Sequence, residues 1–160
     1  LRHPGFNPPP DAEQPLILVA TGCGIAPFMG FLEARAAAGR KGPLWLLFGN
    51  RYQQGDYLYR DQIEALVEQQ VITDLDTVFS RDGGAQRYIT ERLEQQGDKL
   101  LSWIKQGAAL YICGRASTLG KGIDRVLLKL LQAEGMSAED AQAELISWSE
   151  QGVMHRDLFD

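Results

Sequence analysis

Thirteen residues, Leu16-Ile17-Leu18-Val19-Ala20-Thr21-Gly22-Cys23-Gly24-Ile25-Ala26-Pro27-Phe28, constrain the fold more than any other stretch. An apolar run leads into a turn carrying Gly22 and Gly24, and Pro27 opens a run with helical spacing. That order predicts a buried strand feeding directly into a helix. Proline is tolerated at a helix start, where the N–H it lacks has no intrahelical partner. The remaining free N–H groups and the helix dipole favour an anion in the loop, so a phosphate is its natural guest. Glycines at 22 and 24 permit a tight turn and a close ligand approach. The full G-x-G-x-x-G pattern is not met, because Pro27 stands where the third glycine would be. On this stretch alone, an ordinary strand–turn–helix corner is the alternative.

The rest of the chain repeats the motif. Leu16–Val19 is followed by a predicted helix from about Ala26 to Arg40, with Phe28, Phe31, Leu32 and Arg35 on one face and Gly39 and Gly42 ending it. Leu44–Phe48 is continuously apolar, as in a strand buried on both faces. A helix over about Leu58–Gln70, a strand Leu75–Phe79, and helical segments near Tyr88–Gln95 and Lys99–Lys105 come next. Ala109–Ile112 is the fourth strand, Ser117–Ala133 a long amphipathic helix, and Ser137-Ala138-Glu139-Asp140 caps a last helix to about Ser149. Val153–Phe159 is the fifth strand. Strands alternating with helices imply right-handed crossovers and a parallel sheet covered on both faces. Ligands in such sheets bind beyond the carboxyl ends of the strands. The loops Thr21–Gly24, Gly49–Arg51, Ser80–Gly84 and Cys113–Arg115 all lie at such ends, which gathers them along one edge.

Within those loops, Ser80, Arg81, Arg87 and Tyr88 form a compact donor set suited to a phosphate monoester, with Tyr88 also able to lie against an adenine face. A solvated turn is the plain alternative, and Asp82 is placed to neutralise Arg81. Arg51 follows the second strand, in reach of a pyrophosphate or a base. Cys113 ends a buried strand beside Gly114, where inert packing competes with a place beside a nicotinamide ring. His3 and His155 have no partners in sequence and receive no catalytic role.

With a formal net charge of −5, the chain is a poor partner for nucleic acid or an anionic membrane surface, and an anion site in it must be a local basic pocket. No apolar run approaches the roughly 20 residues of a membrane helix. Cys23 and Cys113 are its only cysteines; they lack metal-ligand spacing and fit reduced thiols in a cytoplasmic compartment. Residues 1–15, with four prolines in the first ten, read as an extended linker from a missing upstream flavin-binding domain, and residues 16–160 as one nucleotide-binding domain.

With these loops assembled, the chain resembles the NADP(H)-binding domain of the ferredoxin–NADP⁺ reductase superfamily, nearest to diflavin reductases of the sulfite reductase flavoprotein and NADPH–cytochrome reductase type. The resemblance covers essentially the whole chain in order. Thr21–Phe28 is similar to a G-T-G-I/V-A-P-F loop, and Phe48–Arg51 with Asp56–Tyr59 to F-G-x-R…D-x-L-Y. Ser80-Arg81-Asp82 with Tyr88 is similar to S-R-D-x₅-Y, Tyr111–Gly114 to Y-V/I-C-G, and Arg156–Phe159 to R-D-V-W/Y. Cys23 replaces a usual threonine, Gln86 a lysine, Arg115 an aspartate and Phe159 a Trp or Tyr.

The resemblance implies an α/β Rossmann-like three-layer sandwich with a five-stranded parallel sheet in the order 3-2-1-4-5. It implies an NADPH-dependent flavoprotein oxidoreductase fragment that presents the nicotinamide to FAD on a separate domain. Electrons would then pass to FMN or another acceptor, and the isolated domain would bind nucleotide without turnover. Thr21, Gly22, Cys23 and Gly114 would meet pyrophosphate and nicotinamide. Ser80, Arg81, Arg87 and Tyr88 would meet the 2′-phosphate and adenosine, with Arg51 assisting. Cys113 and Asp157 would line the transfer centre, and Phe159 would cover the flavin and move aside. The implied partners are the FAD-binding domain of the same parent chain and an FMN domain or electron-accepting protein. A nucleotide-sensing or phosphate-binding regulatory module is the alternative, as is a flavodoxin-like carrier holding FMN itself.

Overall fold

A computed structural model describes residues 6–39 and 42–160. The opening strand is β1 (Leu16–Thr21), followed by one 3₁₀ turn at Gly22–Gly24 and by α1 (Ile25–Ala38). Pro27 is therefore the third helical residue, a position where the N–H has no intrahelical acceptor either. Gly39 ends α1 at φ 70° and donates its N–H to the Ala36 carbonyl. The chain continues through β2 (Leu44–Asn50), a single irregular turn α2 (Gln53–Asp56), α3 (Arg60–Glu68) and β3 (Asp74–Phe79). Then come α4 (Ile89–Gln95), α5 (Gly97–Lys105) and β4 (Ala109–Arg115). A π turn at Ala116–Gly120 leads into α6 (Lys121–Ala133), and α7 (Ala138–Glu150) precedes β5 (Met154–Phe159).

The five strands form one sheet in the order β3-β2-β1-β4-β5, and every pairing is parallel, as expected. Strand alternation divides the core cleanly. Ile17, Val19, Trp45, Leu47, Leu110 and Ile112 face a layer built from α4, α5, α6 and α7. Leu18, Ala20, Leu46, Phe48, Tyr111 and Cys113 face α1 and α3. Both faces are thus covered, which explains why β1 and β2 read as unbroken apolar runs.

Several local features depart from the expected boundaries. The helix expected from Leu58 begins at Arg60, because Tyr59 takes a left-handed conformation at φ 58° and leaves Leu58 exposed. The long helix expected from Ser117 is preceded by the π turn, and its regular part starts at Lys121. Arg35, on the inward face of α1, is buried; its guanidinium donates to the carbonyls of Ala12 (2.7 Å) and Gln14 (2.5 Å). Phe6 packs in a T-shape against Tyr111, whose hydroxyl donates to the Asn7 carbonyl at 2.7 Å. The segment from Phe6 to Gln14 therefore lies against the α1 side of the sheet. His155 stacks on Tyr111 with ring centroids 4.4 Å apart, while His3 lies outside the described residues. Among the described residues, no helix is long and apolar enough to cross a membrane.

Candidate functional site

The strand order puts a topological switch at β1. Its first crossover goes to β2 on one side, while β4 pairs on the other, so the loop leaving β1 opens into a crevice. Ala20 pairs with Phe48 on one side and with Cys113 on the other, which centres the Thr21–Gly24 turn above the sheet. Gly24 is pressed onto β4: a Cβ there would run into the Cys113 carbonyl and approach the Gly114 nitrogen at 3.2 Å. Gly114 reciprocates, since a Cβ on it would lie 2.5 Å from the Thr21 hydroxyl oxygen. The two glycines let the loops after β1 and β4 interlock.

Above this junction lies a cleft of about 730 Å³. Thr21, Gly22 and Cys23 line it from the first loop, with Arg51 after β2 and Ser80 after β3. Arg87 and Tyr88 enter from the lead-in to α4, and Phe159 from the end of β5. These eight positions, scattered over 139 residues of sequence, meet in one place. Four of the expected residues do not line it. Arg81 lies on the exposed turn beyond Ser80, its N–H bonded to the Arg51 carbonyl at 2.8 Å. Cys113 and Gly114 are buried in β4 beneath the loop, and Asp157 pairs with Cys113 in the β4–β5 register.

The loop chemistry is more committed than the sequence suggests. Asp82 accepts the Gln53 N–H at 2.8 Å and so caps α2 rather than pairing with Arg81. Asp56 sits 3.6 Å from the Arg51 guanidinium, a loose and exposed pair of small energetic weight. Glu91 accepts the backbone N–H groups of Arg87 (3.1 Å) and Tyr88 (3.0 Å), which fixes the start of α4. The Arg87 guanidinium lies 5.6 Å from the centre of the exposed Tyr88 ring. Gln86 is tied to Gln95 at 2.7 Å and to Arg92.

Sequence reading placed the loop ending at Arg115 along this edge but assigned Arg115 no part in the site, and missed Arg125 on α6 altogether. Arg115 and Arg125 both line the cleft, with Thr90, Thr118 and Gly122. No carboxylate among the described residues forms an ion pair with Arg87, Arg115 or Arg125. Three guanidiniums without an ion pair, in a protein of net charge −5, give this cleft a local basic lining suited to an anion. Arg115 also lies near enough to Asp160 to help the hydrogen bonds from Ser117 hold its carboxyl below its ordinary value.

Burial pushes the Cys113 thiol up to about 12 from 9.0, helped by the nearby Asp157 and Cys23. Burial alone raises the Tyr111 phenol to about 12 from 10.0. Both groups are neutral when protonated, so between these values the folded chain holds protons that the unfolded chain releases. Their contribution to stability is whole below about pH 9 and is lost as pH rises toward about 12. Denaturant unfolding is expected to show a lower midpoint at about pH 10.5 than at about pH 8, with a smaller drop in Tyr111→Phe.

Comparison with known proteins matches residues 18–123 to the family described as the oxidoreductase NAD-binding domain. The sulfite reductase (NADPH) flavoprotein alpha-component of Bacillus subtilis (strain 168) is 34% identical over 155 residues, which is 96% of this chain and 26% of that protein. The protein of the same description from Yersinia pestis bv. Antiqua (strain Antiqua) is 36% identical over the same shares. That from Yersinia enterocolitica is 39% identical over 88% of this chain and 24% of its own length. The chain spans about a quarter of the length of the curated relatives it matches.

Proposed function

The chain belongs to the oxidoreductase NAD-binding domain family, and from that premise we propose that it is the NADPH-binding module of a flavoprotein oxidoreductase. The carrying observation is that loops from β1, β3 and β5 meet with guanidiniums in one cleft at the carboxyl edge of the sheet. The cleft fits the group. Its volume of about 730 Å³ lies within the range of small-molecule sites, and its glycine-lined floor lets a phosphate approach backbone N–H groups. When bound, NADPH supplies a hydride from C4 of its nicotinamide ring.

The residues divide the work along the cleft. Thr21, Gly22 and Cys23 hold pyrophosphate and nicotinamide above the buried Gly24–Gly114 junction. Ser80, Arg87 and Tyr88 hold the adenosine and its 2′-phosphate, with Arg81 closing the outer side and Arg51 assisting. Cys113, kept protonated by burial, and Asp157 support the transfer centre from beneath. Phe159, at the rim and 40% exposed, would cover the flavin ring and move aside for the nicotinamide. FAD would be held by another domain of the parent chain, and electrons would pass on to FMN or to an electron-accepting protein in a cytoplasmic setting. Membership of an oxidoreductase family favours this reading over a purely regulatory module.

Calorimetric titration of the chain with 2′,5′-ADP against 5′-ADP tests the proposal. The 2′-phosphorylated ligand should bind about tenfold more tightly or better, and Arg87→Ala, at a guanidinium that lines the cleft, should remove a large part of that difference. Equal binding would point to NADH, and no binding of either ligand would overturn the proposal.

A further inference from the structure

Two helices flank the adenosine end of the cleft. Thr90 in the first turn of α4 meets Gly122 in the first turn of α6, where a Cβ on Gly122 would come within 2.9 Å of the threonine methyl. Further along the same pair, Lys129 of α6 bonds Glu94 of α4 at 2.9 Å. Arg125 lies three residues after Gly122 and four before Lys129, so it shares their α4-facing side. It lines the cleft together with Tyr88 and Thr90.

Every carboxylate on these two helices is engaged elsewhere. Glu91 caps α4, Glu94 takes Lys129, and Asp124 binds Arg156. In the lead-in to α4, Gln86 is held by Gln95 and Arg92, and Arg92 itself is held by Asp76 at 2.7 Å. The polar groups of this corner are thus satisfied within the fold, while the charges of Arg87 and Arg125 are not. A phosphate monoester near neutral pH carries close to two charges and three terminal oxygens, more than one guanidinium fork satisfies.

Resting on the function proposed above, we propose that Arg125 is the second cation for the 2′-phosphate, reaching it from α6 while Arg87 reaches it from the α4 lead-in. Selection of the phosphorylated nucleotide is then divided between two separate elements, and the α4–α6 contact at Gly122 sets their spacing.

The test is calorimetric titration of wild-type, Arg125→Ala and Arg125→Lys chains with 2′,5′-ADP and with 5′-ADP, with circular dichroism confirming the fold of each. Arg125→Ala should weaken 2′,5′-ADP roughly tenfold, the value of one charge-assisted hydrogen bond, and leave 5′-ADP unchanged. Arg125→Lys should recover part of that loss, since it keeps the charge without the fork. Wild-type selectivity that persists in Arg125→Ala would overturn this assignment while leaving the NADPH reading intact. An equal loss for both ligands would overturn it too, by placing Arg125 away from the 2′-phosphate. A wild-type chain that does not distinguish the ligands would overturn both readings together.

Discussion

Gly24→Ala is expected to be among the most damaging single-methyl changes in the protein, and it strikes the turn that lines the cleft. Gly24 has φ −60° and ψ −14°, a conformation alanine adopts freely, so the cost is entirely one of contact. The new Cβ would overlap the Cys113 carbonyl oxygen and lie 2.8 Å from its carbon. That carbonyl belongs to β4, paired with β1 on one side and β5 on the other, and cannot retreat. Relief must come from lifting the Thr21–Gly24 turn into the cleft. A loss of about 3 kcal/mol follows, at the upper end for overpacking. For a chain of this size that lowers the thermal midpoint by roughly 6–12 °C. Binding of 2′,5′-ADP should fall with it, because the displaced turn would occupy the part of the cleft proposed for the pyrophosphate. Gly22→Ala is the control: φ is +54° with nothing within 4 Å of the added Cβ, so only a conformational cost of about 1–2 kcal/mol remains. Equal behaviour of the two variants would show that the interlocked junction is not what limits this loop.

Asp76→Ala should be comparably destabilising for a different reason. Asp76 is buried in β3 and accepts three hydrogen bonds: from the Trp45 indole at 2.7 Å, from Arg92 at 2.7 Å and from Gln96 at 3.0 Å. Truncation strands a fully buried indole N–H and leaves the partly buried Arg92 charge unpaired. Losing a partner from such a buried pair costs about 3–5 kcal/mol, here toward the lower figure because Arg92 retains some solvent contact. Urea unfolding should show the lower midpoint. Affinity for 2′,5′-ADP should also drop, although Asp76 does not line the cleft, because Arg92 holds Gln86 and so anchors the loop segment leading to Arg87 and Tyr88. Unchanged affinity in a folded Asp76→Ala chain would show that this anchor is dispensable for the site.

Much of this architecture can be read from local sequence. Continuous apolar runs at Leu16 and Leu44 mark strands buried on both faces, and the apolar stripe of α6 follows from its spacing alone. The glycine-bearing turn after β1 and the carboxyl-end placement of the loops follow from the alternation of strands and helices. Other features leave no local mark. Tyr59 breaks the helix expected from Leu58 with a left-handed backbone, a conformation that a tyrosine does not signal. Phe6 lies in a proline-rich stretch whose composition suggests an extended chain, yet its ring is buried against Phe28, Phe31 and Tyr111.

The amino-acid sequence by itself determined the parallel sheet, the edge at which the cleft opens, and the contribution of Thr21–Cys23, Ser80 and Arg87–Tyr88 to that edge. Periodicity and turn chemistry act over a few residues and are written in the residues themselves. Only the tertiary structure decided which charges remain available. Asp82 turns to cap Gln53, Gln86 is taken up by Arg92 and Gln95, and α6 returns alongside α4 to bring Arg125 into the same cleft as Tyr88 across 37 positions of chain. The physical reason is that charge availability depends on which partners the packing brings within hydrogen-bond reach, and those partners come from distant parts of the chain.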